Sequence, residues 1–90
     1  MVAKTWQIYI LQCADDTLYT GVTTDVIRRL AEHNGIGSAL GAKYTKSRRP
    51  VRLVYQEAAA SRGEAQRREA ALRRLSRPEK LRLINSIARS

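Results

Sequence analysis

Trp6-Gln7-Ile8-Tyr9-Ile10-Leu11-Gln12-Cys13-Ala14-Asp15-Asp16-Thr17-Leu18-Tyr19-Thr20-Gly21 is the stretch whose reading decides the fold. Apolar, β-branched and aromatic residues run on both sides of Ala14-Asp15-Asp16, and Asp is a habitual turn former, so the stretch reads as two short strands closed by a tight polar turn. Strand side chains alternate between faces, so the register of this hairpin matters more than its existence. A three-residue turn pairs Cys13 with Thr17 and carries Tyr9, Leu11, Tyr19 and Gly21 onto one face. Gly21 then lies opposite Tyr9, where a missing side chain leaves room beside the ring. A slip of one residue would turn the two tyrosines to opposite faces.

Outward from the hairpin, the 90 residues suit one domain, 1–90. A chain of this size buries roughly two thirds of its unfolded surface, enough for a modest core. No long apolar run precedes Lys4, and no window approaches the ~18 apolar residues of a membrane span, so the expectation is a cytoplasmic protein with no membrane association. The single cysteine, Cys13, sits in a hydrophobic strand and reads as a buried thiol.

Charge is distributed unevenly. Seventeen Lys and Arg against eight Asp and Glu give +9, yet residues 1–27 hold one base and three acids, −2. Residues 28–56 hold seven bases against one acid, +6, and residues 57–90 nine against four, +5. A basic surface on the later segments points to an anionic partner, for which nucleic acid is the usual choice, against a merely solvated basic face. A membrane surface fits poorly, because no segment joins strong apolarity to a basic stripe.

After the hairpin, Thr23 or Thr24 can cap a helix with Asp25 in its first turn. Helical spacing groups Val26, Ile27, Leu30 and Ala31 as the buried stripe, with Arg29 and His33 one turn apart on its edge and Arg28 turned to solvent. Arg29 is therefore either a phosphate-holding guanidinium or an ion-pair partner of Asp25, and His33 either functional or a plain helix-end histidine. Asn34-Gly35 ends the helix. Gly37 to Lys43 departs from a P-loop in spacing, and Ala39–Thr45 reads as a short helix or irregular stretch. Lys43, Lys46, Arg48 and Arg49 make a basic loop that can follow a phosphate backbone, with Tyr44 either stacking on a base or packing on the sheet.

Pro50 opens a third antiparallel strand, Val51–Gln56, and Ser61 with Glu64 has capping-box spacing for a helix from Arg62 to about Leu75. Ala65, Arg68, Leu72 and Leu75 share one face of it, with Glu69 beside them. That carboxylate is either a structural partner of Arg62 or Arg73, or a hard oxygen ligand for one Mg²⁺ or Mn²⁺ ion. Ser76 and Pro78 begin a last helix with an apolar stripe of Leu81, Leu83, Ile84, Ile87 and Ala88, leaving Lys80, Arg82 and Arg89 in solvent. The fold class is α+β, a three-stranded antiparallel sheet flanked by helices, in the order β-β-α-(short α or loop)-β-α-α.

With one histidine and one cysteine, neither a structural zinc cluster nor a Cys-His nucleophile pair is well provided for, and no serine-elbow sequence occurs. Tyrosines, an arginine, a histidine and a carboxylate remain, an inventory that suits water attack on a phosphodiester. Gln7-Ile8-Tyr9 followed by Tyr19-Thr20-Gly21 resembles the paired signature of the GIY-YIG nuclease family, with Gln7 in place of the first glycine and Thr20 in place of the second isoleucine. Thr24 to His33, Lys43-Tyr44-Thr45 and Arg68 to Leu72 follow in family order, as in its small stand-alone bacterial members. The resemblance implies a GIY-YIG fold and metal-dependent hydrolysis of DNA, single-stranded or branched. It implies a catalytic set of Tyr9, Tyr19, Arg29, His33 and Glu69, with Glu69 holding the metal and the general base left open among Tyr9, Tyr19 and His33. Gly21, Lys43, Tyr44, Thr45, Lys46, Arg48 and Arg49 stand as substrate-binding candidates. The alternatives are a non-catalytic nucleic-acid-binding module of the same fold and, more weakly, an adaptor docking through the last helix.

Overall fold

The computed structural model describes residues 5–35 and 48–88, without the side chains of residues 87 and 88. Strands β1 (Trp6–Gln12) and β2 (Leu18–Thr23) form the hairpin, helix α1 (Val26–His33) follows, and β3 (Arg52–Ala59) precedes helices α2 (Arg62–Arg73) and α3 (Arg77–Ala88). The sheet is antiparallel with β1 in the centre, order β2-β1-β3.

The hairpin has the register that the tyrosines require. Tyr9 pairs with Gly21 and Leu11 with Tyr19, and the Cys13 amide donates to the Thr17 carbonyl at 2.9 Å. Asp16 closes the turn at φ 69°, in the left-handed region that Asp tolerates better than most residues. β3 runs three residues beyond the expected Gln56 and carries a bulge against β1 between Ile10 and Leu11.

Alternation along β1 gives the sheet two apolar faces. Ile8 and Ile10 pack with Tyr55, Ala65 and Leu72 beneath α2 and α3, whereas Tyr9, Leu11, Cys13 and Val51 pack with Tyr19, Leu30 and Leu53 on the α1 side. Burying both faces of one strand is how so short a chain assembles a core. Cys13, expected within a strand, lies one residue beyond the end of β1 and is a buried free thiol.

Helix α1 differs from expectation in its start and its rotation. Its N-cap is Asp25, whose carboxylate accepts the Arg28 amide at 3.1 Å, while Thr23 Oγ1 accepts the Asp25 amide. Ile27 is 85% exposed, and His33 is the one residue of the helix that is buried. The helix turns its His33 side to the sheet because the rings of Tyr9 and Tyr19 occupy the space above β1 and β2, and a flat imidazole packs edge-on to both. At the C-terminus Gly35 takes φ +79°, and the Asn34 side chain exchanges two hydrogen bonds with the Val51 backbone.

Ser61 caps α2 by accepting the Glu64 amide at 3.1 Å, and Ala65 and Leu72 are the residues this helix buries. The helix stops at Arg73, short of Leu75. Ser76 and Glu79 form a reciprocal capping pair on α3, whose Leu83 and Ile84 pack on the Ile8 face; Lys80 is half-buried rather than solvated. Ile87, Ala88 and Arg89, and the stretch proposed for Ala39–Thr45, fall on side chains or residues outside the description. No helix among the described residues is long and apolar enough to cross a membrane.

Candidate active site

Four elements send side chains to one cleft of about 250 Å³ on the β2 side of the sheet. Tyr9 comes from β1, Tyr19 from β2, Arg29 from α1 and Glu69 from α2, and Trp6, Val22, Arg62 and Gln66 complete the lining. The Tyr9 and Tyr19 rings lie 6.5 Å apart between centroids. Their convergence follows from the hairpin register, since residues paired as Tyr9 with Gly21 and Leu11 with Tyr19 put both phenols on one face.

Gly21 is buried beneath Tyr9. A Cβ built on it would overlap the phenol, 2.5 Å from Cζ, so the missing side chain lets the ring lie across β2.

His33 is fully buried and does not line the cleft. Its Nε2 lies 3.0 Å from the Tyr9 hydroxyl. Burial, and secondarily the positive field of Arg29, lowers its pKa to about 4. Tyr9 moves the other way: burial first and the neighbouring Tyr19 second raise the phenol to about 12, with Arg29 opposing them. Tyr9 is thus a protonated phenol and His33 a neutral imidazole at pH 7. Arg29 can only donate, and it hydrogen-bonds the Tyr9 oxygen.

Arg29 and Arg28 divide as helical spacing predicts, with side chains 26% and 64% exposed. Arg29 pairs with Glu32 at 3.1 Å, neither of the partners anticipated from its position. Burial pulls its pKa down, yet the hydrogen bonds to Glu32 and Tyr9 outweigh it and hold the net shift upward. Glu69 is 21% exposed and meets Arg73 at 3.4 Å, so the anticipated ion pair exists at the rim of the cleft. Arg73 also donates to the Thr20 carbonyl at 3.2 Å, tying α2 to β2.

The basic residues expected to grip substrate have other engagements where they are described. Arg49 donates to the His33 carbonyl at 2.6 Å, closing the end of α1, and Arg48 pairs with Asp15 at 2.9 Å at the hairpin turn. Neither lines the cleft. Lys43, Tyr44, Thr45 and Lys46 lie outside the described residues. Sequence reasoning passed over Trp6, Val22, Arg62 and Gln66. A signal was present for two of these: Arg62, Gln66, Glu69 and Arg73 recur at helical spacing and share one stripe of α2.

A divalent ion needs hard oxygen donors, and the cleft offers one carboxylate, Glu69. Among the described residues no group of three His, Cys, Asp or Glu could hold a metal by itself. The donor set fits an Mg²⁺-like ion that keeps most of its ligands as water and substrate phosphate.

Residues 5–82 match the model of the GIY-YIG catalytic domain. A UPF0213 protein of Desulfotalea psychrophila is 54% identical over 81 residues, 90% of this chain and 72% of that one. A UPF0213 protein of Staphylococcus haemolyticus is 53% identical over 77 residues, 86% of this chain and 90% of that one. The solution structure of the UPF0213 protein BH0048 from Bacillus halodurans superposes with TM-score 0.56 at 44% identity, covering 90% of this chain and 83% of that one. A second solution structure, of a protein from E. faecalis, gives TM-score 0.64 at 34% identity over 98% and 91% of the two chains.

Proposed function

This chain belongs to the GIY-YIG catalytic-domain family, and on that premise we propose that it is a metal-dependent nuclease that hydrolyses phosphodiester bonds of DNA by water attack. The observation that carries the reading is the convergence of Tyr9, Tyr19, Arg29 and Glu69, from four elements, on one cleft. The basic excess of +9 supplies long-range attraction for a polyanion. The buried free thiol of Cys13 suits a reducing, cytoplasmic place of action.

Arg29 holds a non-bridging phosphate oxygen and stabilises the charge that grows there as water adds. Glu69 would hold an Mg²⁺ or Mn²⁺ ion, which when bound draws charge from the phosphate and the leaving oxygen. Tyr9 cannot act as a resting phenolate, because its pKa of about 12 keeps it protonated. It instead passes protons on. An attacking water gives its proton to the Tyr9 oxygen while the phenol proton moves to His33 Nε2, 3.0 Å away. A pKa of about 4 makes His33 a weak acceptor at rest. An incoming phosphodiester offsets the positive field of Arg29 and strengthens it, so that proton transfer is favoured when substrate is bound. Tyr19 packs edge-on to the His33 ring at 5.1 Å and limits the motion of the relay.

The test is cleavage of labelled single-stranded and branched DNA with Mg²⁺ or Mn²⁺ by the parent protein and its variants. Glu69→Ala should abolish cutting, and Tyr9→Phe should reduce it by about 10²–10⁴-fold, the range of one general acid–base group. Full activity in Glu69→Ala would refute the mechanism. One observation favours a second reading, a non-catalytic nucleic-acid-binding module: Glu69 is already paired with Arg73. Salt-sensitive binding by a parent that never cuts would support that reading instead.

A further inference from the structure

The lining of the cleft falls into two chemically different sets. Arg29, Glu69 and the two tyrosines suit a phosphate, whereas Trp6, Val22, Arg62 and Gln66 offer an aromatic face, an aliphatic wall, a guanidinium and an amide. Trp6 opens β1 and is half-buried, with one side packed against the Ile8 core. Arg62 opens α2, is exposed, and carries its Cζ 5.9 Å from the centroid of the Trp6 ring. That separation is near the outer limit of a cation–π contact, so the guanidinium lifts or slides easily. Indole and guanidinium planes are the surfaces on which bases stack.

We propose that Trp6 and Arg62 form a stacking subsite for an unpaired nucleobase beside the scissile phosphate, with Gln66 one turn along α2 positioned for its hydrogen-bonding edge. The proposal deepens the nuclease reading and rests on it for the phosphate. A base inside a duplex has no free face to offer, so the subsite selects single-stranded DNA or a locally unpaired nucleotide. Size agrees: about 250 Å³ is below the roughly 300–1,000 Å³ of sites for drug-sized ligands, and it accepts one flat ring rather than a duplex edge.

Trp6 is the only tryptophan of the chain, so its fluorescence reports this subsite alone. The probe is a short oligothymidylate, compared with a blunt, fully paired GC-rich duplex of equal charge, both titrated into the Glu69→Gln protein without metal, with anisotropy following total binding. The single strand should quench Trp6 and the duplex should not. Trp6→Ala should weaken single-strand binding about 5- to 100-fold, the value of one base stack, and leave duplex binding unchanged. Trp6→Phe, which keeps a ring in the packing, should retain single-strand affinity to within about threefold. No quench at saturating single strand, or equal losses on both DNAs, would overturn the proposal. Because the assay reads binding by a protein that does not cut, the two readings separate. Cleavage by the parent without a Trp6 quench refutes the subsite alone, and a quench without cleavage refutes the hydrolytic reading alone.

Discussion

The smallest part of the site is a glycine and the ring above it. Gly21 pairs with Tyr9 across the hairpin, and the phenol occupies the place where a Cβ would be. Gly21→Ala should therefore push Tyr9 off His33 and destabilise the fold by about 1–3 kcal/mol, as overpacking does, measured by urea unfolding. His33 makes a second prediction with a definite sign. Its folded pKa of about 4 lies below the ordinary 6.5, so the folded state favours the neutral ring. The stability this contributes is complete above pH 6.5 and is lost progressively as pH falls from there towards 4. His33→Gln should flatten that part of the stability–pH curve; an unchanged slope between pH 6.5 and 4 would mean that the ring is hydrated. The same burial keeps Tyr9 protonated, which is the state the proposed proton relay starts from.

At the scale of elements, α1 carries most of the difference between pattern and structure. Its apolar residues include Ile27, yet Ile27 is 85% exposed while His33 is buried. Ile27→Lys should change stability by no more than about 0.5 kcal/mol, the range of surface substitutions, whereas a core isoleucine would lose several times that. Asp25→Ala should cost about 1 kcal/mol, because it removes the acceptor of the Arg28 amide. The pair of variants, compared by urea unfolding, distinguishes the observed rotation and cap from the expected ones. Helix α2 has the opposite character. Its capping residue and buried face were readable as they stand, and its second stripe, Arg62, Gln66, Glu69 and Arg73, faces the cleft and β2 instead of the core. One face holds the helix to the sheet, and the other furnishes the site.

For the molecule as a whole, the proposed function assigns encounter to the net charge and discrimination to the cleft. A chain at +9 should bind DNA with strong salt dependence, each neutralised phosphate adding about −0.7 to the slope of log K against log salt for single strands. Arg29→Ala should reduce that slope by about one such increment, and Ile27→Lys should not reduce it. An identical slope in Arg29→Ala would remove the arginine from contact with phosphate. What the amino-acid sequence determined by itself is what short-range chemistry settles: the hairpin and its register from alternation around Asp15-Asp16, the ends of helices from Asn34-Gly35 and Ser61, and through that register the meeting of Tyr9 with Tyr19. Tertiary structure decided the rest. Arg48 and Arg49 bind Asp15 and the His33 carbonyl, Trp6 and Arg62 come together across an interval of more than fifty residues, and α1 turns a histidine inward in preference to an isoleucine. A helical pattern fixes which residues share a face but not which face meets the sheet, and that orientation was set by the two tyrosine rings that had to be covered.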